Sequence, residues 1–477
     1  MALGSLPCPP ISETPMTDIA ATLSHLDDNL DAAIDRLFEL VRIESVSTDP
    51  AYAAECRKAA EWHKADLETI GFEATVHDTP RHPIVVGHHP GPEGAPHVLF
   101  YGHYDVQPVD PLELWTNGAP FDAKVITRED GSLMLHGRGT ADDKGQTMTF
   151  VEACRALKTV TGGLPCKVTV LLEGEEESGG ESLPPFMEAH RDELKADIAL
   201  ICDTGMFDPK TPAITTMLRG NTACEITVHA ASRDLHSGMY GGAAANPIHV
   251  LTRILSAMHD DAGRITIPGF YDGVPELPAE IKAQWDGLDF SAERFLGDVG
   301  LAEPWGKHGY SALEHVWSRP TAEVNGIWGG YIGSGFKTVI PAEAHAKVSF
   351  RLVGDQQPDD IQAKFRAFVE ARLPSDCTAE FNLRGGGVAT VMPIENPAFE
   401  QARTALTEEW NKEAVFAGCG GSIPVVGELK NRLGMDSLLI GFGLEDDNLH
   451  SPNEKYDLTS FAKGARSWAR VLVAMGG

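Results

Sequence analysis

The chain has 477 residues, 42% hydrophobic and 23% charged, a composition typical of a globular protein. Its 69 acidic residues outnumber its 39 Lys and Arg residues, and the net charge of −30 disfavours binding to nucleic acid or to an anionic membrane. At this length we expect about two or three domains rather than a single hydrophobic core.

The N-terminal region has no basic segment followed by an apolar one, as a secretory signal would. No stretch approaches the roughly 18 consecutive apolar residues of a membrane span. The eight cysteines are scattered without a Cys-x-x-Cys pair, which fits a reducing compartment. We therefore predict a soluble, cytoplasmic protein. Residues 1–15 are rich in Pro and Ser and are predicted to form a disordered leader.

The first half of the chain shows the pattern of an α/β domain. Apolar residues recur at helical spacing over residues 17–70, and short apolar strands then alternate with helical stretches. Strands are predicted at residues 97–101, 167–172 and 198–202, with a helix at 147–157. Such alternation is typical of a mainly parallel sheet.

After Thr211 the pattern changes. Apolar and polar residues alternate over residues 224–228 and 344–352, which predicts strands with one face exposed to water. Helical spacing occurs at residues 247–259 and 358–373. These elements predict a separate α+β domain inserted into the first. The α/β pattern then returns from Asn396, with a helix predicted to Trp410 and a strand at residues 437–443.

Polar side chains follow the ends of four apolar runs, and a Gly-rich turn carries more. They are His103 and Asp105 after the first run, Glu173, Glu175, Glu176 and Glu177 after the second, Asp203 after the third, His450 after the fourth, and Asp142 and Asp143 in the turn. Ligands of open α/β sheets gather beyond the carboxyl ends of the strands, so we expect these groups close together. Acidic pairs also cap helices and acidic runs are often solvated, but so many charges at one edge favour a bound cation.

The types of these residues narrow the choice of metal. Two histidines and three carboxylates suit zinc, manganese or cobalt better than calcium or magnesium. Five ligands exceed what one tetrahedral zinc takes, and they match two ions about 3.5–4 Å apart that share a carboxylate and a water. A further acid that is not a ligand is then available as a general base.

Five motifs resemble those of the co-catalytic metallopeptidase family of carnosinases, aminoacylases and carboxypeptidase G, and the carnosinase-type dipeptidases in particular. The motifs are His103-x-Asp105, Gly-Arg-Gly-x-x-Asp142-Asp143-Lys-Gly, Glu176-Glu177-Ser-Gly, Asp203 and His450-Ser-x-Asn-Glu. The resemblance implies an α/β fold: a mainly parallel-sheet di-metal peptidase domain with an inserted α+β lid and dimerisation domain. It assigns residues 16–212 and 389–477 to the catalytic domain and residues 213–388 to the lid.

The resemblance also implies how the metal ligands divide between two divalent ions. His103 and Asp203 would hold one ion, Glu177 and His450 the other, and Asp142 would bridge both. Zinc is the expected metal, with manganese and cobalt as alternatives.

Two further catalytic roles and one backbone feature follow from the same resemblance. Asp105 would orient the imidazole of the first ligand. Glu176 would act as general base on the bridging water and pass the proton to the leaving amine. The peptide bond between Asp142 and Asp143 would be cis.

The substrate-binding residues implied by the resemblance lie later in the chain. His236, in Asp-Leu-His-Ser-Gly, would reach the active site of a partner subunit and stabilise the oxyanion. Thr338 and Arg351 would bind the terminal carboxylate of the substrate, with Ser422 beside it. The segment before Ser422 reads Gly-Cys-Gly-Gly-Ser, where carnosinase-type dipeptidases usually carry Arg-Glu-Gly-Gly-Ser, and this leaves the side-chain preference open.

Together these features predict a homodimeric metallodipeptidase that hydrolyses a peptide bond next to a free C-terminal carboxylate, by a metal-bridging hydroxide and a Glu base. An alternative is an amidohydrolase of the same family that removes an N-acyl or N-carbamoyl group from an amino acid. A non-catalytic metal-binding dimer is a third possibility, although it would not need Glu176. The expected partners are a small peptide or N-acyl amino acid and a second copy bound through the lid, and neither nucleic acid nor a membrane.

Overall fold

The computed structural model describes residues 19–297 and 299–477, so the leader predicted for residues 1–15 lies outside the described residues. The helices are α1 (Ile19–Asp28), α2 (Leu30–Val41), α3 (Ala53–Ile70), α4 (Lys144–Thr161), α5 (Leu183–Ala189), α6 (Arg191–Leu194), α7 (Ser237–Tyr240), α8 (Pro247–Ser256), α9 (Ala279–Asp286), α10 (Ala292–Gly297), α11 (Ala312–Trp317), α12 (Pro358–Glu370), α13 (Pro397–Trp410), α14 (Pro424–Glu428) and α15 (Leu458–Gly476). The strands are β1 (Glu73–His77), β2 (Ile84–His89), β3 (His97–His103), β4 (Lys124–Thr127), β5 (Leu133–His136), β6 (Lys167–Glu173), β7 (Ile198–Ile201), β8 (Ala213–Leu218), β9 (Gly220–His229), β10 (Leu235–His236), β11 (Thr321–Gly329), β12 (Val339–Ile340), β13 (Glu343–Leu352), β14 (Thr378–Gly387), β15 (Thr390–Val391), β16 (Val415–Cys419), β17 (Ser437–Leu439) and β18 (Lys455–Asp457).

The described chain forms two compact units. The first contains the described residues up to Pro212, together with Asn396–Ala414 and Leu439–Gly477. The second contains Ala213–Glu395 and Val415–Leu438. The segment Val415–Leu438 is a difference from the sequence-based boundaries, which placed it in the catalytic domain. It lies in the second unit because its strand β16 pairs in parallel with β8.

The first unit is built on a mixed sheet in which β1, β2, β6, β3 and β7 follow one another in this order. The central strands β6, β3 and β7 are parallel, and the outer strands β1 and β2 run antiparallel to their neighbours. Helices α4 and α15 supply aromatic rings to the core: Phe150 stacks on Phe100 of β3 at 3.9 Å, and Trp468 meets Phe100 edge-on at 6.0 Å. This α/β architecture with a mostly parallel central sheet confirms the predicted fold class.

A buried lysine ties the start of α4 to the end of α2. The Nζ of Lys144, the first residue of α4, donates hydrogen bonds to the carbonyl oxygens of Leu40 at 3.2 Å and Ile43 at 2.7 Å. Each of these oxygens also accepts a backbone hydrogen bond, from the N–H groups of Ile43 and Ser45, and the ammonium adds a second bond to each. The turn that precedes α4 is thereby anchored to the N-terminal helices.

A small antiparallel sheet, β4-β5-β18, completes the first unit. In its register His136, the last residue of β5, lies opposite Lys455, the first residue of β18. The chain leaves β5 toward Asp142 and enters β18 from the segment that carries His450. The Asp142 segment therefore begins, and the His450 segment ends, at the same end of this sheet.

The second unit contains an antiparallel sheet of order β11-β13-β9-β14. Along β9, buried residues alternate with partly exposed ones, as the sequence pattern predicted. Helices α8 and α12 pack on the buried face, where Leu251 and Phe365 are fully buried. Both helices begin at the predicted prolines and end three residues before the predicted ends. This unit has the predicted α+β character.

Two further features of the described residues concern their helices and their cysteines. Within the described ranges, none of the helices is both long and apolar enough to cross a bilayer. The described cysteines form no disulfide, and all except Cys419 are buried.

Candidate metal centre and substrate-binding residues

The predicted metal ligands lie at one edge of the first unit's sheet. His103 is the last residue of β3, Glu177 lies in the 3-10 turn that follows β6, and Asp203 comes two residues after β7. Asp142 lies in the turn before α4, and His450 follows the 3-10 turn Glu445–Asp447. Because β3, β6 and β7 are parallel, their carboxyl ends meet at the same edge, where ligands of α/β sheets usually bind.

The structure brings these five residues together in two groups that share Asp142. In the His103 group, donor atoms of His103, Asp142 and Asp203 all lie within 4.8 Å of one another. In the His450 group, the same holds for Asp142, Glu177 and His450. The two oxygens of Asp142 face different histidines: Oδ1 lies 3.2 Å from His103 Nε2 and Oδ2 lies 3.0 Å from His450 Nε2. The two groups contain the same residues as the two ligand sets that the resemblance implied.

The chemistry of this donor set fits divalent cations. Burial, with Asp143 and Asp142 nearby, raises the pKa of Asp203 well above its ordinary value, and burial does the same to Asp143. The Nε2 of His103 is buried without a hydrogen bond of good geometry. Clustered buried carboxylates repel one another unless a cation lies among them, and imidazoles with carboxylates are typical zinc, manganese or cobalt ligands. The peptide bond between Asp142 and Asp143 is cis, as expected.

Asp105 supports both His103 and the turn that carries Glu177. The Nδ1 of His103 lies 3.1 Å from the main-chain oxygen of Asp105 and 3.4 Å from its carboxylate Oδ1. A proton on Nδ1 would therefore be donated to Asp105 and would leave Nε2 available to a metal. The other carboxylate oxygen, Oδ2, accepts hydrogen bonds from Ser47 Oγ at 2.5 Å and from the backbone N–H of Glu177 at 3.0 Å.

Glu176 begins the turn Glu176–Ser178, beside the two ligand groups. Burial raises its pKa, against the opposing effect of the His103 imidazole. The adjacent Glu175 holds the turn in place, because its carboxylate accepts hydrogen bonds from the backbone N–H groups of His82 at 2.9 Å and Ser182 at 3.1 Å. A carboxyl whose pKa is raised toward neutrality is suited to moving protons at physiological pH.

In the second unit, His236 and Thr338 are neighbours. His236 ends β10, which pairs with β12, and the backbone N–H of Ser237 donates to the carbonyl of Thr338 at 3.0 Å. His236 is exposed, and its Nδ1 accepts a hydrogen bond from the backbone N–H of Gly238 at 3.0 Å. In the neutral imidazole the proton is therefore carried by Nε2.

Arg351 and Ser422 are connected through Asn221, a residue that the sequence analysis missed. Arg351 on β13 lies opposite Asn221 on β9, and Asn221 Nδ2 donates to Ser422 Oγ at 3.4 Å. Another missed residue, Arg219, donates from Nε to the carbonyl of Gly420 at 3.0 Å and so supports the segment before Ser422. Neither residue stands out in the sequence, because each looks like an ordinary polar position on a half-exposed strand.

Comparison with known proteins gives the family. The chain matches the model of peptidase family M20/M25/M40 over residues 99–474. The chain belongs to this family. Among relatives of the M20 family, it is 32% identical to the Cys-Gly metallodipeptidase DUG1 of Candida albicans, over 92% of this chain and 93% of that protein. It is 26% identical to the human Beta-Ala-His dipeptidase, over 94% of this chain and 91% of that protein.

Solved structures agree with this assignment to the M20 family. The structure of the di-peptidase Dug1p of Saccharomyces cerevisiae is 27% identical with a TM-score of 0.75, over 97% of this chain and 99% of that one. Human carnosine dipeptidase 1 is 25% identical with a TM-score of 0.77, over 96% and 98%. The chain is therefore a hydrolase that acts on amide bonds, and family membership together with the two ligand groups supports divalent-metal binding. The predicted metallopeptidase class is confirmed.

Proposed function

We propose that this protein is a dipeptidase that cleaves the peptide bond next to a free C-terminal carboxylate. It uses two divalent metal ions, and zinc is the expected metal. The observation that carries the proposal is the sharing of Asp142 between the His103 group and the His450 group. The names of its relatives, a Cys-Gly metallodipeptidase and a Beta-Ala-His dipeptidase, support a dipeptide as the substrate class.

Each ligand group would bind one metal ion. His103 and Asp203 would hold one ion, Glu177 and His450 the other, and Asp142 both. Such a pair of ions, when bound, polarises a scissile carbonyl and lowers the pKa of a nearby water. The protein's own contribution is to hold these five side chains in place at the sheet edge.

Glu176 moves the proton. Its carboxylate accepts a proton from the attacking water and then donates it to the nitrogen of the leaving amine, so that the amine departs neutral. Burial raises its pKa and so favours the protonated form needed for the second step. Because Asp105 and Glu175 fix the backbone around this turn, Glu176 keeps one orientation through both steps.

Substrate recognition is assigned to the second unit. The guanidinium of Arg351 would bind the free carboxylate with two parallel hydrogen bonds, with Ser422 beside it and Thr338 as a further contact. His236 would donate from Nε2 to the oxyanion in the active site of a second copy. Its exposure leaves it available for that contact.

A homodimer joined through the second unit is part of the proposal. Strand β11 lies at the edge of its sheet and exposes the apolar side chains of Val324 and Ile327, at 45% and 50%. Exposed apolar sheet edges are usually covered, and a second copy would cover this one. Sedimentation at assay concentration measures the mass, and a monomer would contradict the dimer.

We place the protein in the cytoplasm because its described cysteines form no disulfide.

The function is tested by a hydrolysis screen on metal-reconstituted protein. Dipeptides, N-acyl amino acids and N-carbamoyl amino acids are compared as substrates, and hydrolysis of dipeptides is expected. Glu176→Gln should lower kcat by roughly 10³-fold while the metal content stays unchanged. The control is Glu181→Gln, whose side chain is 78% exposed on the same segment. Near-normal turnover of the first variant, or hydrolysis of the N-acyl substrates alone, would contradict the proposal.

A further inference from the structure

A fully buried carboxylate outside the ligand set contacts the backbone of a ligand. Glu454 Oε1 accepts hydrogen bonds from the backbone N–H groups of Ala141 at 3.0 Å and Asp142 at 3.1 Å. Its Oε2 accepts from Arg138 Nη1 at 2.7 Å, and the backbone N–H of Gly139 lies 3.0 Å from both oxygens. One side chain therefore accepts three of the four backbone N–H groups of residues 139–142, which end at the shared ligand.

Glu454 lies four residues after His450, in a segment with unusual backbone geometry. Asn448, His450 and Asn453 have φ angles of 55°, 58° and 64°, the left-handed region that residues other than glycine seldom adopt. The side chain of His450 is also 56% exposed, so little packing holds it from outside. Residues in such conformations persist where neighbouring contacts hold them. The position of the imidazole therefore depends on how the ends of the segment are anchored.

The C-terminal anchor of that segment is the junction with the small sheet. His136 pairs with Lys455, and the backbone N–H of Gly137 donates to the carbonyl of Glu454 at 3.1 Å. The backbone of Glu454 thus continues the pairing of β5 with β18. Its side chain then bonds to the Asp142 turn, beyond the last paired residue of β5. The Asp142 turn and the His450 segment separate at this residue.

Arg138 makes the other side of the junction rigid. Besides its ion pair with Glu454, it donates from Nη2 to the carbonyl of Pro108 at 3.0 Å and lies 5.5 Å from the ring centre of Trp115. Its side chain is 2% exposed and that of Glu454 is 0% exposed, so water does not compete for either group. A buried pair with several additional hydrogen bonds holds its partners in one arrangement.

We propose that Glu454 is a positioning residue of the metal centre, which sets the distance between Asp142 and His450 and thereby the affinity of the His450 group for its ion. The effect is selective. In the His103 group, His103 ends β3 and Asp203 follows β7, and only the shared Asp142 is held by Glu454. In the His450 group, both Asp142 and the segment of His450 are anchored at Glu454. This inference rests on the proposed function, since it takes the two groups as ion sites.

The test is metal binding by the whole chain after chelation and dialysis, measured by calorimetric titration with Zn²⁺ and by the visible absorption of bound Co²⁺. Wild type is expected to bind two ions. Glu454→Gln should weaken one of them by roughly 10- to 100-fold, as the loss of residues that hold metal ligands does elsewhere, and weaken the other much less. Excess Zn²⁺ should restore turnover in this variant, which a general loss of folding would not allow.

The matched control is Glu409→Gln. Glu409 is a buried carboxylate of the same unit that accepts from Arg466 Nε at 2.7 Å and Arg470 Nε at 2.9 Å, and its hydrogen bonds join α13 to α15 rather than the ligand segments. It should keep both ions. If Glu454→Gln does not fold, because Arg138 is left unpaired, the double variant Arg138→Gln/Glu454→Gln removes both charges and should show the same selective loss.

The variant His450→Ala distinguishes an error in the two-metal site from an error in the role of Glu454. If wild type binds fewer than two ions, or if His450→Ala keeps both, the proposed two-metal site is wrong. If His450→Ala loses one ion while the Glu454 variants keep wild-type affinity for both, the site stands and the positioning role of Glu454 is wrong. Equal weakening of both ions would also contradict the selective role.

Discussion

The two sets of candidate site residues differ sharply in burial. In the first unit, His103 and Asp105 are fully buried and burial raises the pKa values of Asp143 and Asp203, whereas His450 alone of the ligands is exposed. In the second unit, His236 and Thr338 are exposed, and Arg351 is partly exposed. Buried charges require specific compensation, so the first set admits few functions. Exposed polar residues tolerate many ligands, so the second set constrains the substrate far less.

The largest effect is expected where the two ligand groups meet. Asp142→Asn removes the shared carboxylate, so both ions should bind more weakly and turnover should fall by roughly 10³-fold or more. Metal content by mass spectrometry and kcat with a dipeptide measure this. Asp122→Asn, at an exposed position of the same unit, should change neither. If Asp142→Asn kept its full metal content, the carboxylate of Asp142 would not be the shared ligand, and the buried set would constrain the function no more than the exposed set.

Removal of the metal should destabilise the buried set. An ion that binds only the folded state adds about 3 kcal/mol when present at roughly 100 times its Kd, so chelation should lower the melting temperature of wild type. Asp142→Asn should show almost no further decrease on chelation, because it begins without tightly held ions. Equal melting temperatures of wild type with and without chelator would mean that no ion compensates these carboxylates.

At the exposed set, a smaller and different effect is expected. Arg351→Lys keeps the positive charge but loses the paired hydrogen bonds to a carboxylate, so KM should rise roughly 10- to 100-fold with metal content unchanged. Arg366→Lys, on α12 above the ring of Phe381, is the control and should leave KM unaffected. If KM stays constant in both variants, the free carboxylate of the substrate is bound elsewhere.

The smallest effect concerns acid stability. Burial lowers the pKa of His63 to about 3, whereas histidine in the unfolded chain titrates near pH 6.5. The unfolded state therefore binds more protons between these values, so stability falls as the pH drops below about 6.5, by roughly 2 kcal/mol at pH 5 from this residue. In urea unfolding of metal-free protein, His63→Phe should lose less stability from pH 6.5 to 5 than wild type.

His249→Phe is the matched control for this effect, because His249 is exposed on α8 of the second unit. It should keep the acid sensitivity of wild type. The same slope in wild type and in His63→Phe would show that burial of this imidazole does not contribute to acid sensitivity.

The fold was largely predictable because periodicity reports burial directly. The alternating strands and the helices that begin at Pro247 and Pro358 were visible in the sequence. The apolar run at residues 437–443 was less informative, since β17 ends at Leu439. Beyond it, a Cβ on Gly441 would lie 1.9 Å from the carbonyl oxygen of Thr204, so the chain continues in close backbone contact rather than in a longer strand. Hydrophobicity alone does not separate these two arrangements.

The candidate site was predictable in part, for a similar reason. His103 and His450 stand out because each is a metal-ligand type that follows an apolar run, and Asp142 because it lies in a Gly-rich turn. Glu454 is in the His-Ser-x-Asn-Glu motif, yet an acid after a polar segment has the same appearance whether it is solvated or buried. Its function depends on contacts with Arg138 and the turn, more than three hundred positions away in the chain, and no local pattern reports such contacts.

The ammonium of Lys144 has a practical consequence for anyone who shortens this polypeptide. Both of its acceptors, the carbonyls of Leu40 and Ile43, belong to the N-terminal segment, while Lys144 itself follows Asp143 directly. Deleting the chain through Ile43 would remove both acceptors of this lysine, whose burial lowers its pKa to about 7, next to the turn that carries Asp142. The first two helices are therefore a poor choice for trimming, although they supply none of the five proposed ligands.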